Sequence, residues 1–255
     1  MNKERVFYDI LLLFVIYLLS TTTFFTAYIP HYYANVFIQF LLRVGFLLFA
    51  FYFIKRNKLP TPQLEKLHKY WPLFIPFFIL PLTNIFVGLI SGAALAPING
   101  LHILVEGFVM NTLIVLSEEL VFRVVILSYL LTRTSNLKAI IYSSLIFALT
   151  HIVNLGALNQ IGPVLIQMGY TFFVGLLCAF LYIFSLNIVL PLIFHFLFNL
   201  FNGTLSSSLY PGITGPLFYT MNISMIVIAT LYGVWLYYFL TKKGVGTYVT
   251  NTVVY

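Results

Sequence analysis

Eight stretches of roughly twenty mostly apolar residues follow one another along this chain, with almost nothing between them. A helix needs about 20 such residues to cross the hydrocarbon core of a bilayer. The stretches lie at approximately 7–28, 33–54, 71–95, 102–132, 138–157, 161–184, 188–206 and 216–240. Only 7% of the 255 residues are charged and 61% are hydrophobic, whereas a soluble domain carries about 25% charged residues. The expected fold is therefore all-α, a polytopic membrane bundle of about eight helices. Residues 1–255 read as a single membrane domain, with no room for a separate soluble one. The single Cys178 excludes an intramolecular disulfide, and its apolar surroundings make it a packing thiol.

The net charge of +7 is not spread along a nucleic-acid-binding stripe. Eleven of the thirteen Lys and Arg fall into four groups at helix ends: Lys3 and Arg5; Lys55, Arg56, Lys58, Lys66 and Lys69; Arg133 and Lys138; and Lys242 and Lys243. With eight spans the loops alternate sides, and every basic loop residue then shares a side with the N-terminus. The positive-inside rule makes that side the cytoplasm and puts both termini there. The chain reads as a multi-pass protein of the cell membrane, with the lipid bilayer as one partner and no nucleic acid. The first span begins with a basic flank like a signal peptide, but it is long and lacks a small-x-small cleavage site, so it reads as a retained anchor. Segment 55–70, with Pro60 and Pro62, is the main cytoplasmic loop and a topology determinant.

Ionisable groups inside hydrocarbon cost at least about 2.5–3.5 kcal/mol each, and they face a bundle interior or a water-filled cavity. The fourth span, LIVLSEELVFRVVILSYLL from Leu113, carries Glu118, Glu119 and Arg123 near mid-membrane. The fifth carries His151, and the seventh carries His195 and Asn199. Adjacent helical residues point about 100° apart, while residues four apart share a face. Glu119 and Arg123 are thus expected to form an ion pair. Glu118 points elsewhere and needs a partner from another helix, for which His151 is the expected choice. Glu118, His151 and Asn199 all lie roughly 18–21 Å from the cytoplasmic ends of their spans, at 1.5 Å per residue. The three can meet. Arg43 is expected to snorkel or find a polar neighbour. His102 and Glu106 are expected to be interfacial, Phe122 and Phe147 to pack around the cavity, and Pro191 to disturb the helix one turn before His195.

Glu118 to Arg123, EELVFR, resembles the EExxxR signature of the CPBP intramembrane proteases, the CAAX-protease and bacteriocin-processing (Abi) family. Phe147 to His151 matches the family's FxxxH motif and His195 to Asn199 its HxxxN motif, in order and over about residues 105–205. The resemblance implies an intramembrane glutamic endopeptidase whose cavity opens towards the cytoplasmic leaflet. It implies that Glu118 and His151 hold and deprotonate the attacking water, that Glu119 and Arg123 support them, and that His195 and Asn199 stabilise the oxyanion. The substrate would be a peptide or protein in or at the membrane. Bacterial members are tied to bacteriocin self-immunity and peptide maturation, and the abundance of Phe, Ile, Tyr, Asn and Lys suggests a bacterial source. Some relatives are non-proteolytic scaffolds or regulators, which stays open as the alternative.

Other protease chemistries fit less well. An aspartyl site needs two Asp, and Asp9 stands alone; there is no HExxH. No cofactor is expected, although two His and a carboxylate also make an open zinc site. Zinc on Glu118, His151 and His195 is therefore the second reading of the same cluster. A proton-relay transporter would call for repeat symmetry, which the chain lacks.

Overall fold

The computed structural model describes residues 3–21, 31–61, 69–154, 161–185 and 187–245. Among these there is no β-strand, and the described residues run as eight helical rods. They are α1 (Lys3–Thr21), α2 (Tyr32–Arg56), α3 (Trp71–Ile90), α4 (residues 100–131), α5 (Asn136–Asn154), α6 (Ile161–Ser185), α7 (Val189–Leu209) and α8 (Pro216–Lys242). Six of them, α2, α3 and α5 to α8, are long and apolar enough as continuous helices to cross a membrane. Within the described part of α1, Glu4, Arg5 and Asp9 crowd the first turns, and α4 is divided into short segments by changes of helical pitch.

The rods differ in how many sides they bury. All eight residues of Leu120–Leu127 in α4 are buried, as is every residue from Leu177 to Ser185 in α6. A helix apolar all round belongs at the centre of its bundle. By contrast α8 buries only Leu236 and Leu240, and Ile223, Ile228, Leu231 and Tyr238 on it are at least 60% exposed. Water would not tolerate such a surface. Hydrocarbon would.

Polar side chains cross-link the rods. Asn111 of α4 donates through Nδ2 to the Phe196 carbonyl of α7 at 3.0 Å. Asn84 of α3 donates twice to Asn202 of α7, from its backbone N–H to Oδ1 and from Nδ2 to the carbonyl, each at 3.0 Å, and accepts one hydrogen bond from Asn222 of α8 at 2.8 Å. Amide contacts of this kind glue helices where no hydrophobic force acts between them. Gly88 is needed where α3 meets α7, because a Cβ there would stand 2.3 Å from the Tyr210 ring.

Several local expectations are corrected. Trp71–Leu82, the first part of α3, winds as a 3₁₀ helix. Pro76 and Pro81 inside it cannot donate the i→i−4 bonds an α-helix needs. Pro191 causes no disturbance: it is the third residue of α7, within the first turn, where the missing N–H costs nothing. The widened turn of α7 comes later, as a π-helix over Asn199–Leu205. Gly162 and Pro163 lie in the first turn of α6, where proline is tolerated for the same reason. Pro62 and Lys66 of the 55–70 loop lie outside the described residues.

Candidate active site

The site is built on α4, where a regular α segment (Asn111–Glu119) passes into a π segment (Leu120–Leu127). The wider turn is visible in the Ser128 hydroxyl, which donates to the carbonyl five residues back, that of Arg123, at 3.3 Å. Such π turns recur at functional sites. Here one begins directly after the paired glutamates.

Glu119 and Arg123 are both wholly buried, and Arg123 Nε donates to Glu119 Oε2 at 3.0 Å. The ion pair expected between them is present. The guanidinium also lies over the Phe147 ring of α5, 5.1 Å from its centroid, a cation–π contact. The second Glu119 oxygen, Oε1, accepts from His195 Nδ1 of α7 at 2.8 Å. The imidazole is thereby fixed with its other nitrogen, Nε2, 3.5 Å from Glu118 Oε2. Glu118 Oε1 accepts from the Tyr17 hydroxyl of α1 at 3.4 Å. One chain of contacts thus runs Arg123, Glu119, His195, Glu118, Tyr17, across helices α4, α7 and α1.

This differs from the expected partnering. Glu118 is answered by His195 and Tyr17, and His151 is held otherwise, with Nδ1 3.1 Å from the Phe147 carbonyl. His151 closes the last α-helical turn of α5, where the chain tightens into a 3₁₀ turn, so its ring reaches back to the carbonyl four residues earlier. A carbonyl oxygen only accepts, so Nδ1 carries the proton. In the neutral ring Nε2 is then left as an acceptor. Phe147 joins the two imidazoles, with His151 at 5.1 Å and His195 at 5.9 Å between ring centroids, both edge-on.

Glu118, His151, His195 and Asn199 line one cavity of about 860 Å³, together with Tyr17, Arg43, Phe147 and Asn202. Glu119 and Arg123 do not reach it and stand behind the wall. Sequence reasoning missed Tyr17, one of 18 tyrosines and without any local signature. Arg43 was visible as a mid-span charge, but it does not snorkel: it is buried at 8% exposure on the cavity wall. His102 and Glu106 stay at the periphery, as expected of interfacial groups, sharing the Tyr32 hydroxyl at 3.3 and 2.7 Å.

Among the described residues, one trio of potential metal ligands lies within 4.8 Å of one another: Glu119, Cys178 and His195. It is not the set expected from the sequence. Both Glu119 oxygens and His195 Nδ1 are already spent on the ion pair and its hydrogen bond. A cation there would stand beside the Arg123 guanidinium, so the donor set fits a metal poorly. On the cavity side, Glu118 and His195 Nε2 retain donor capacity.

Residues 100–201 match the family of type II CAAX prenyl endopeptidases described as Rce1-like. No curated protein and no solved structure matches the chain significantly. The matched segment contains Glu118, Glu119, Arg123, His151, His195 and Asn199, and the match supports the family assignment that the three motifs imply.

Proposed function

We propose that this chain, assigned to the CAAX-protease family through residues 100–201, hydrolyses a peptide bond inside the membrane with water activated by Glu118. The observation that carries the reading is the buried Arg123–Glu119–His195–Glu118 series ending at a cavity wall. Glu118 takes a proton from the attacking water, which the free Nε2 of His151 orients by accepting its other hydrogen. The proton then passes over the 3.5 Å to His195 Nε2. Glu119 stabilises the resulting imidazolium through Nδ1–H, and Arg123 balances Glu119. His195 Nε2–H and the Asn199 amide donate to the oxyanion as the carbonyl carbon becomes tetrahedral. Such donors are worth about 2.7–4 kcal/mol of barrier. On collapse His195 returns the proton to the leaving amine, and the bond breaks.

All four reacting side chains belong to this chain and need no metal in this scheme. The glutamic mechanism, with eight spans, cytoplasmic termini and a cavity open to the cytoplasmic leaflet, forms one reading together with the placement of the basic loops. The substrate is a membrane-associated peptide, in bacteria of the signal or bacteriocin class. Membrane peptidomes of cells carrying wild type or Glu118→Ala test the reading. Peptides released by the wild type should be missing in the variant at equal expression and membrane insertion. Indistinguishable peptidomes would favour a non-proteolytic scaffold of the same family.

A further inference from the structure

Of the thirteen Lys and Arg, eleven fall in the four groups at helix ends and two lie within the spans, Arg43 and Arg123. Arg123 is neutralised by its ion pair with Glu119 through Nε, although its Nη1 and Nη2 have no hydrogen-bond partner among the described residues. Arg43 forms no such ion pair among the described residues. Its Nε and Nη1 have no hydrogen-bond partner among the described residues, although the side chain is buried on the wall of the cavity. The carboxylate on the same wall, Glu118, directs one oxygen to Tyr17 and the other to His195. An unanswered guanidinium in a low-dielectric interior is costly. Five N–H donors in a planar fork suit a carboxylate or a phosphate best.

Depth decides between them. Arg43 is the twelfth residue of the 25-residue helix α2, about 17 Å from one end and about 20 Å from the other at 1.5 Å per residue. That is close to the middle of a hydrocarbon core roughly 30 Å thick. A lipid phosphate would have to leave the headgroup layer to reach it. A peptide entering the cavity would not. The same wall carries Asn199 and the Asn154–Gln167 pair, in which Asn154 Nδ2 donates to Gln167 Oε1 at 2.9 Å; their remaining amide capacity can meet the backbone of an extended peptide, which must find partners inside a membrane.

We propose that Arg43 is a carboxylate-binding subsite of the cavity. It takes a carboxylate of the bound peptide, either the free C-terminal group or an acidic side chain, and so sets which bond lies over Glu118 and His195. The assignment of a cleavable peptide rests on the endopeptidase reading; the capture of a carboxylate does not. The competing role for Arg43 is purely internal, as a distant counter-charge to Glu118, and it predicts no preference between anionic and neutral ligands.

The test is binding to the purified protein in detergent, read calorimetrically. The first probe pair is N-acetyl-Leu-Ile-Leu as the free acid and as the carboxamide. The second is amide-capped Leu-Glu-Leu and Leu-Gln-Leu. In the wild type one anionic member should bind at least about tenfold tighter than its neutral twin, as expected for a charge-assisted hydrogen bond. The pair that discriminates identifies the source of the carboxylate. Arg43→Gln should bring that ratio to about one, and Arg43→Lys should keep part of it. Equal binding within both pairs by the wild type overturns the proposal whether or not any variant folds, as does a preference that survives in Arg43→Gln. Because no turnover is read, failure here and unchanged peptidomes for Glu118→Ala are separate outcomes.

Discussion

Truncating Arg123 would leave the Glu119 carboxylate wholly buried, with only His195 to hold it. Breaking one side of a buried ion pair costs about 3–5 kcal/mol, because a charge is stranded. Arg123→Leu and Glu119→Gln should each lower the thermal midpoint in detergent markedly. The double variant should lose less than the sum of the two, since partners in one network do not add; strict additivity would mean the contact is energetically idle. Tyr17 makes a smaller contribution. Its hydroxyl gives Glu118 a single long hydrogen bond of 3.4 Å, worth about 0.5–1.5 kcal/mol. Tyr17→Phe should therefore slow cleavage about two- to tenfold, and a loss beyond a hundredfold would give the phenol a larger part than the geometry does. The sequence made the Glu119–Arg123 pair legible because both residues lie on one helix at a spacing of four. Partners across helices were not legible in the same way. Depth along the spans brought Glu118 and His151 to one level, yet the side chain that meets Glu118 is His195, drawn there by its hydrogen bond to Glu119.

At the scale of helices, the register of α4 against α5 and α6 holds the reacting groups together. Phe147 of α5 touches the Phe122 ring at 4.9 Å as well as both imidazoles and Arg123. Behind it stands Gly175 of α6, where a Cβ would lie 3.1 Å from the Phe147 ring and 3.3 Å from the Ser144 backbone. Backbone does not yield to a side chain. Gly175→Leu should push Phe147 towards the cavity and lower kcat at near-normal expression, measured on purified protein; unchanged turnover would show that α5 can slide without consequence. Most helix bounds were readable from hydropathy: the run expected at 33–54 is Tyr32–Arg56, and that at 161–184 is Ile161–Ser185. The π segments were not. Their widened turn needs no proline and leaves no periodic mark in a helix buried on every side, such as Leu120–Leu127.

Across the whole molecule, the exposed apolar face of α8 and the buried centre at α4 and α6 describe a protein whose solvent is lipid. That much was written in the composition. The sidedness rests on the loops, and it is open to a direct check. A fluorescent protein fused after Lys243 should fold and fluoresce in the cytoplasm. A periplasmic reporter inserted near Gly212, in the turn between α7 and α8, should be active; the reverse pair of results would invert the topology and move the cavity mouth to the other leaflet.

The central claim is that the Glu118 carboxylate activates the water that cleaves the peptide. Wild type and Glu118→Gln should be reconstituted in lipid vesicles and given a peptide recovered from the wild-type peptidome. A general base accounts for about 10²–10⁴-fold of rate, so kcat should fall by at least about a hundredfold while the thermal midpoint stays close to that of the wild type. Turnover within tenfold of wild type in the well-folded variant would contradict the account.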